Sequence, residues 1–220
     1  MSAEGLIHPV VTEVKPRLRG WLHAAAVPCC LVGGILLVLL AGSTAGRVGG
    51  AVYLAASVML FGTSALYHRG RWSPRAEAVL RRLDHSNIFV FIAATYTPLA
   101  LLLLTGTDRV VCLSVVWGVA VAGVCFRVFW LGAPRWLYVL LYLGLGWVAV
   151  FWLPQLWAAG GPLVMALIIT GGLVYSLGAI VYARKRPNPS PRWFGFHEVF
   201  HLCTVLAAGS QFAAITLITI

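Results

Sequence analysis

The residues most able to do chemistry lie in the segment from His197 to His201, which reads His-Glu-Val-Phe-His. Two histidines four residues apart differ by about 40° around a helix axis, so both rings project from one face and can bind one metal ion. The pair opens a long apolar segment, and ionisable residues in such a place are costly and commonly functional. The spacing therefore favours a metal site, with two interfacial histidines bonded to water or backbone carbonyls as the alternative.

The same five residues also fit the H-E-x-x-H pattern of metalloproteases, in which the glutamate is the general base. Three fixed positions in five make a weak match. Intramembrane proteases of this type also use an aspartate from a later span, whereas no acidic residue follows Glu198 in this sequence. We therefore expect Glu198 to be a surface residue or a neighbour of the metal ligands.

The composition is that of a membrane protein. Of the 220 residues, 60% are hydrophobic and only 10% are charged, and the mean hydropathy is +0.91. Soluble domains have about 25% charged residues, and long uncharged segments indicate membrane spans. The formal net charge of +10 resides in short loops, so it indicates orientation in a bilayer and not a nucleic-acid partner. We interpret the cysteines as small buried hydrophobic residues, and there are five of them, Cys29, Cys30, Cys112, Cys125 and Cys203.

The apolar segments predict an all-α polytopic membrane protein with seven transmembrane helices. Each segment has about the twenty residues that a bilayer requires. They cover about 21–41, 48–67, 85–104, 110–131, 136–153, 162–182 and 194–220. We expect residues 1–20 to form a cytoplasmic arm and residues 21–220 to form the transmembrane domain. Because about twenty polar residues precede the first apolar segment, that segment is expected to remain as a span and not to be a cleaved signal peptide.

The basic residues predict the orientation of these helices. With the N-terminus in the cytoplasm, 14 of the 16 lysines and arginines lie on the inside, and only Arg47 and Arg109 lie outside. Such an excess is typical of cytoplasmic loops, so we expect a multi-pass protein of the plasma membrane with an extracytoplasmic C-terminus. Arg127 lies about one turn inside the fourth span, and we expect it to extend toward the membrane surface.

This topology brings distant polar residues to the cytoplasmic face. The second span ends there at His68, the third begins there beside Asp84, and the seventh begins there at His197. His68, His197 and His201 could fill three positions of a tetrahedral zinc ion and leave the fourth to water, the arrangement of catalytic zinc. Zinc lowers the pKa of its water toward neutrality.

Two further residues could complete such a site. Asp84 could accept the proton of the water or hold it, and the alternative for Asp84 is a favourable charge at a helix N-terminus. Ser64, four residues before His68, could orient the water or a substrate carbonyl, or its hydroxyl could bond to its own helix. His23 and His85 are expected to be packed and hydrogen-bonded, and His8 to be solvated.

Three motifs together resemble the hemolysin III family, the bacterial branch of the progestin and adiponectin receptor superfamily, which is distantly related to alkaline ceramidases. The motifs are Ser64-x-x-x-His68, then Asp84-His85-Ser86-Asn87-Ile88 leading into Ala93-Ala94-Thr95-Tyr96-Thr97-Pro98, and His197-x-x-x-His201. The segment from Lys15 to Gly20 is also similar to the family's entry into its first span.

The resemblance implies seven helices, a cytoplasmic N-terminus, and zinc held near the cytoplasmic face by His68, His197 and His201. It also implies that Asp84 holds the water on zinc and that Ser64 is the family's serine.

The resemblance leaves two functions open. Relatives imply a zinc-dependent hydrolase of lipid amides or esters, with a membrane lipid as partner and Asp84 and Ser64 as catalytic residues. The alternative is a non-enzymatic protein with structural zinc, acting in signalling or lipid homeostasis or permeabilising membranes, as the haemolytic name of the bacterial branch suggests. The spans are too uniformly apolar to favour a pore, and the sequence specifies no protein partner.

Overall fold

The apolar segments form helices joined by short connections in the computed structural model, which describes residues 16–220. The helices are α1 (Trp21–Leu40), α2 (Thr44–Arg69), α3 (Pro74–Leu103), α4 (Gly106–Phe129), α5 (Arg135–Gly146), α6 (Leu153–Arg184) and α7 (Phe196–Thr219), with a short 3₁₀ helix (Val148–Trp152) between α5 and α6. This confirms the prediction of an all-α polytopic membrane protein. Most of the predicted arm, including His8 and Lys15, lies outside the described residues.

Six helical stretches in the described part of the chain are long and apolar enough to cross a membrane, and the stretch Arg135–Arg184 counts as one of them. Its helix α6 contains a break at Gly161, where φ is 72° and ψ is 177°. Glycine adopts this positive φ without a side-chain penalty, and Pro162 suits the first turn of a new helix. The break coincides with the predicted start of the sixth span. The count of seven spans and the orientation remain predictions.

Helix α3 lies at the centre of the bundle, since it contacts α2, α4, α5, α6 and α7. It begins at Pro74, where the Ser73 side chain accepts a hydrogen bond from the amide of Ala76. Asp84 is therefore ten residues into the helix, and Glu77 is the acidic residue of the first turn. The alternative interpretation of Asp84 as a helix N-terminal charge is wrong.

The outer surface of the bundle is apolar, as a lipid environment requires. Large side chains project outward, including Leu39, Phe129 and Phe151. The five cysteines are free, and Cys29 and Cys125 lie on this outer surface. The predicted burial is confirmed for Cys112 and Cys203 and wrong for Cys29 and Cys125, because surrounding lipid is as apolar as the protein interior and does not draw a small apolar residue inward.

Gly20 fixes the approach of the chain into α1 against the end of α2. Its φ is +80°, and a Cβ added there would lie 2.9 Å from the Cβ of His68 and 3.0 Å from the Cγ of Arg69. Only glycine accepts both the positive φ and the close contact. Gly20 therefore determines how closely α1 packs against the helix turn that carries His68.

Replacing Gly20 with alanine is expected to destabilise the protein by about 1–3 kcal/mol, because the substitution adds backbone strain and a side-chain clash. Thermal unfolding in detergent, followed by tryptophan fluorescence, measures the change. Gly62→Ala is the matched control, since Gly62 lies within α2 and a Cβ added there would have no atom within 4 Å. There the helix propensity of alanine should leave stability unchanged or slightly higher. Equal losses in the two variants would contradict the packing argument.

Candidate metal centre

Three imidazoles meet at one end of the bundle. His68 lies in the last turn of α2, and His197 and His201 lie in the first two turns of α7. One ring nitrogen from each lies within 4.8 Å of the others, and the Nε2 atoms of His68 and His197 are 3.3 Å apart. The structure thus brings together the three histidines predicted from sequence, although His68 and His197 are separated by 129 positions.

The geometry of this cluster fits a metal ion. Nitrogen ligands at about 2.0–2.1 Å in a tetrahedral site lie about 3.3 Å apart, which is the separation of the His68 and His197 nitrogens. The Nδ1 atom of His201 is buried and has no hydrogen-bond partner in the described part of the chain. Imidazole nitrogen binds several divalent metals, so the donor set defines a possible metal site without specifying the ion.

Asp84 and Ser64 lie beside the cluster. The Oδ2 atom of Asp84 is 3.7 Å from the Nε2 atom of His68, and the Ser64 hydroxyl lies near the Asp84 carboxyl. Both residues are buried. Ser57, two turns earlier on α2, instead donates to the backbone oxygen of Tyr53 at 2.6 Å. Ser64 therefore lies beside Asp84, which in turn faces His68.

A small cavity of about 40 Å³ lies beside the histidine cluster and Asp84. Its lining includes Ser64, Asp84, His197 and His201. One water needs about 10–15 Å³ of such volume, so the cavity has room for a small number of waters or for the reacting group of a ligand. The cluster consequently faces open space on the side of Asp84.

A second, apolar cavity of about 240 Å³ adjoins the first. The two share lining residues, among them Leu60, Tyr142 and Phe200. The larger cavity continues between α3, the 3₁₀ helix and α6. Cavities of this kind bind the apolar part of a ligand and orient it through a few polar groups.

Glu198 does not face the cluster. It is 1% exposed, its Oε1 accepts a hydrogen bond from the Arg19 Nε, and its Oε2 accepts one from the Gly195 amide at 2.8 Å. Of the two predicted positions, at the surface or beside the metal ligands, the surface position is therefore wrong. Because both oxygens already have partners, Glu198 caps α7 and pairs with Arg19, and it is not placed as the base of a metalloprotease.

The remaining histidines of the described chain are packed, as expected, and border the site. The predicted hydrogen bonding of His23 is wrong, because neither of its ring nitrogens has a partner among the described residues. His23 stacks on His201, with ring centroids 3.8 Å apart and planes at 16°. His85 contacts the Arg127 guanidinium through Nδ1, and its backbone oxygen accepts a hydrogen bond from the Tyr142 hydroxyl at 2.9 Å. The sequence did not indicate that His23 would lie directly against a member of the cluster.

Arg127 turns inward, contrary to expectation, and Tyr182 lies beside the cluster. Arg127 is 1% exposed and lies over the ring of Tyr138 at 4.4 Å, so its predicted extension to the membrane surface is wrong. The Tyr182 ring is 5.5 Å from that of His197 and lines the small cavity. Both side chains have polar or aromatic neighbours inside the bundle, an environment less costly than lipid.

The fold and the cluster define a polytopic membrane protein with a candidate metal site at one end of its helix bundle. The family model described as Haemolysin-III related matches residues 11–212, and the chain belongs to that family, which confirms the resemblance drawn from the three motifs. It is 30% identical over 178 residues to a protein named Hemolysin-3 homolog from Bacillus subtilis (strain 168), covering 79% of this chain and 83% of the relative. It is also 30% identical over 156 residues to a protein named Hemolysin-3 from Bacillus cereus, covering 70% of this chain and 71% of the relative.

Proposed function

We propose that this protein is a zinc-dependent hydrolase of lipid amides or esters in the plasma membrane, with zinc held by His68, His197 and His201. The observation that carries the proposal is the position of the histidine cluster. The cluster borders a small cavity whose lining includes Asp84, and that cavity adjoins a larger apolar one. A purely structural site would be closed by a fourth protein ligand, whereas a catalytic site leaves one position open.

The residues around the small cavity have distinct roles in this proposal. Zinc, when bound, supplies a water whose pKa is near neutrality. Asp84 accepts the proton of that water, and its carboxyl is buried beside His68. The Ser64 hydroxyl holds the Asp84 carboxyl in position. The apolar cavity binds an acyl chain and keeps the reacting carbonyl away from bulk water.

We further propose seven transmembrane helices with the site at the cytoplasmic face. The basic residues support this orientation, since 14 of 16 would lie inside and cytoplasmic loops carry such an excess. Five arginines line a cavity at the cluster end of the bundle, which agrees with a cytoplasmic position for that end. The break at Gly161 supports the division of the stretch Arg135–Arg184 into two membrane-spanning segments.

One observation favours a structural metal as the second candidate. The three histidines come from only two helices, α2 and α7, so a bound ion would clamp those helices together. In that case the protein would be non-enzymatic, and Asp84 would serve only to orient His68. The two candidates differ in what Asp84 does while the metal is bound.

Replacing Asp84 with asparagine tests this difference. General acid–base catalysis contributes about 10²–10⁴-fold, so we expect hydrolysis of a ceramide analogue or an ester lipid to fall at least about 100-fold while zinc content is retained. Asp108→Asn is the matched control, since Asp108 lies in the first turn of α4, at the end of that helix opposite to Arg127. Full turnover by an Asp84→Asn protein that still holds zinc would reject the hydrolase and favour the structural metal.

A further inference from the structure

A third cavity, large and polar, lies next to the metal centre. Its volume is about 700 Å³, and it shares His85, Tyr138, Tyr182 and His197 with the small cavity. Its charged lining consists of Arg19, Arg71, Arg81, Arg127, Arg135 and a single acidic residue, Glu77. We call this cavity the basic vestibule. Five arginines against one glutamate give its lining a formal charge of +4.

Most of this charge is not balanced by protein carboxylates. Arg19 pairs with the buried Glu198. Within residues 16–220, no carboxylate oxygen lies within 4.0 Å of the other four vestibule arginines. A requirement for orientation in the membrane explains basic residues in cytoplasmic loops, but it does not require them to line one cavity.

Arg127 is the most informative of these arginines because it is fully buried in a membrane-spanning helix. Its guanidinium contacts His85 Nδ1 and lies over the Tyr138 ring. Its Nε atom has no hydrogen-bond partner among the described residues. A buried cation is strongly destabilising unless an anion compensates it. The lining of the vestibule thus includes a buried cation whose partner is not a carboxylate of the described chain.

Arginine is suited to a particular class of anion. Its planar guanidinium presents parallel N–H donors that bind phosphate or carboxylate oxygens in pairs. Arg135 is held in place for such a role, because it donates to the Tyr182 backbone oxygen at 3.1 Å and lies over the Tyr182 ring. Several arginines around one space favour a ligand that carries more than one negative oxygen, as phosphate does.

We propose that the basic vestibule binds the phosphate group of an anionic ligand, with Arg127 as the buried counter-charge. The three adjoining cavities then match the parts of a phospholipid: phosphate in the vestibule, the ester linkage in the small cavity, and an acyl chain in the apolar cavity. As a statement about the substrate, this rests on the proposed function. As a statement about anion binding, it is independent of hydrolysis.

Calorimetric titration of the purified, zinc-containing protein in neutral detergent tests the proposal. The probes are dioctanoyl phosphatidic acid, dioctanoylglycerol, which lacks only the phosphate, and inorganic phosphate. Charge-assisted hydrogen bonds to buried arginine are strong, so we expect phosphatidic acid to bind at least about tenfold more tightly than dioctanoylglycerol. Its affinity should also fall as salt concentration rises. Equal affinity for the two lipids would overturn the proposal.

Variants assign the effect to the vestibule. Arg127→Gln should weaken phosphatidic acid binding about tenfold or more, and Arg81→Gln, at an exposed position, should weaken it a few-fold. If the Arg127→Gln variant does not fold, the affinity of the Arg81→Gln variant for phosphatidic acid tests the proposal. Arg75→Gln is the matched control, since Arg75 is exposed on the same helix and does not line the vestibule. Affinity unchanged by Arg81→Gln, or lowered equally by Arg75→Gln, would reject the vestibule as the site.

Competition with inorganic phosphate distinguishes a soluble phosphate from a lipid headgroup, and a comparison of binding with turnover distinguishes the anion site from the hydrolase. If inorganic phosphate displaces phosphatidic acid at comparable concentration, the ligand is a soluble phosphate; if it does not, the ligand is a lipid headgroup. Either result supports an anion site. Phosphate-dependent binding without turnover would reject the hydrolase and leave the vestibule supported. Turnover of a neutral lipid without phosphate-dependent binding would support the hydrolase and reject the vestibule as an anion site.

Discussion

Replacing both His197 and His201 with alanine is expected to abolish metal binding. The structure places one nitrogen from each of them within 4.8 Å of a nitrogen of His68, so the double variant retains one imidazole of three. Metal sites lose affinity steeply as ligands are removed, because the binding free energy is shared among few bonds. We expect the metal content, measured by elemental analysis after reconstitution with zinc, to fall from about one ion per chain to less than about 0.1.

The stability of the protein gives a second readout of the same variant. A ligand that binds only the folded state stabilises it, so removal of metal by a chelator should lower the unfolding temperature of the wild type and leave that of the double variant unchanged. His85→Gln is the matched control, because His85 borders the small cavity without belonging to the cluster. Full zinc occupancy in the double variant, or its loss in His85→Gln, would show that the ligands were wrongly assigned.

The cluster could be predicted because it depends on coarse features of the sequence. Spacing of four residues places His197 and His201 on one helical face. Alternation of the spans then brings the end of the second and the start of the seventh to the same membrane face, which puts His68 beside them. Neither step requires knowledge of side-chain packing. The predicted position of Asp84 beside His68 follows from the same alternation, although α3 begins earlier than the hydrophobic pattern indicated.

The extended start of α3 could not be inferred from hydropathy. Residues 74–84 carry several charges and precede the third apolar segment, predicted at about 85–104, but a helix can continue beyond the apolar segment that defines a span. Ser73 and Pro74 form a favourable helix start, and the side chain of Ser73 accepts the amide of Ala76 at 3.4 Å. Helix capping therefore places the start of α3, whereas hydropathy predicts only the apolar part of it.

The partners of Glu198 and Arg127 could not be predicted because they come from distant parts of the chain. Glu198 pairs with Arg19 across 179 positions, and Arg127 contacts His85 across 42. A charged residue near a span end has two low-energy environments, the membrane surface and a polar partner inside the bundle. Sequence position alone does not distinguish these environments, and both residues adopt the second.

These inward-facing charges divide the cluster end of the bundle into separate regions. Glu198 is occupied by Arg19 and Gly195, which leaves Asp84 as the carboxylate beside the histidines. Arg127 contacts His85 through its guanidinium and lines the vestibule. In the proposed function, the acid beside the histidine cluster handles a proton, while the cation in the vestibule binds the headgroup of an anionic lipid.

Replacing Glu198 with glutamine is expected to destabilise the protein by about 3 kcal/mol, because removing one partner of a buried ion pair leaves the other charge uncompensated. Glu198 is 1% exposed and Arg19 is 18% exposed, so little solvent is available to Arg19 after the change. For a chain of this size the unfolding temperature should fall by about 6–12 °C. Glutamine can still accept the Gly195 amide, so Glu198→Ala, which also removes the cap, should cost about 1 kcal/mol more.

Glu77→Gln is the matched control for this loss, since Glu77 is the acidic residue in the first turn of α3 as Glu198 is in that of α7. Glu77 is exposed, so its substitution should cost less than about 1 kcal/mol. The comparison also separates the structural role of Glu198 from that of a metalloprotease base. A base would lose turnover on substitution while keeping its stability. We expect instead a large loss of stability, with zinc content unchanged in the protein that remains folded, because Glu198 holds the start of α7 against Arg19 and is not among the proposed metal ligands.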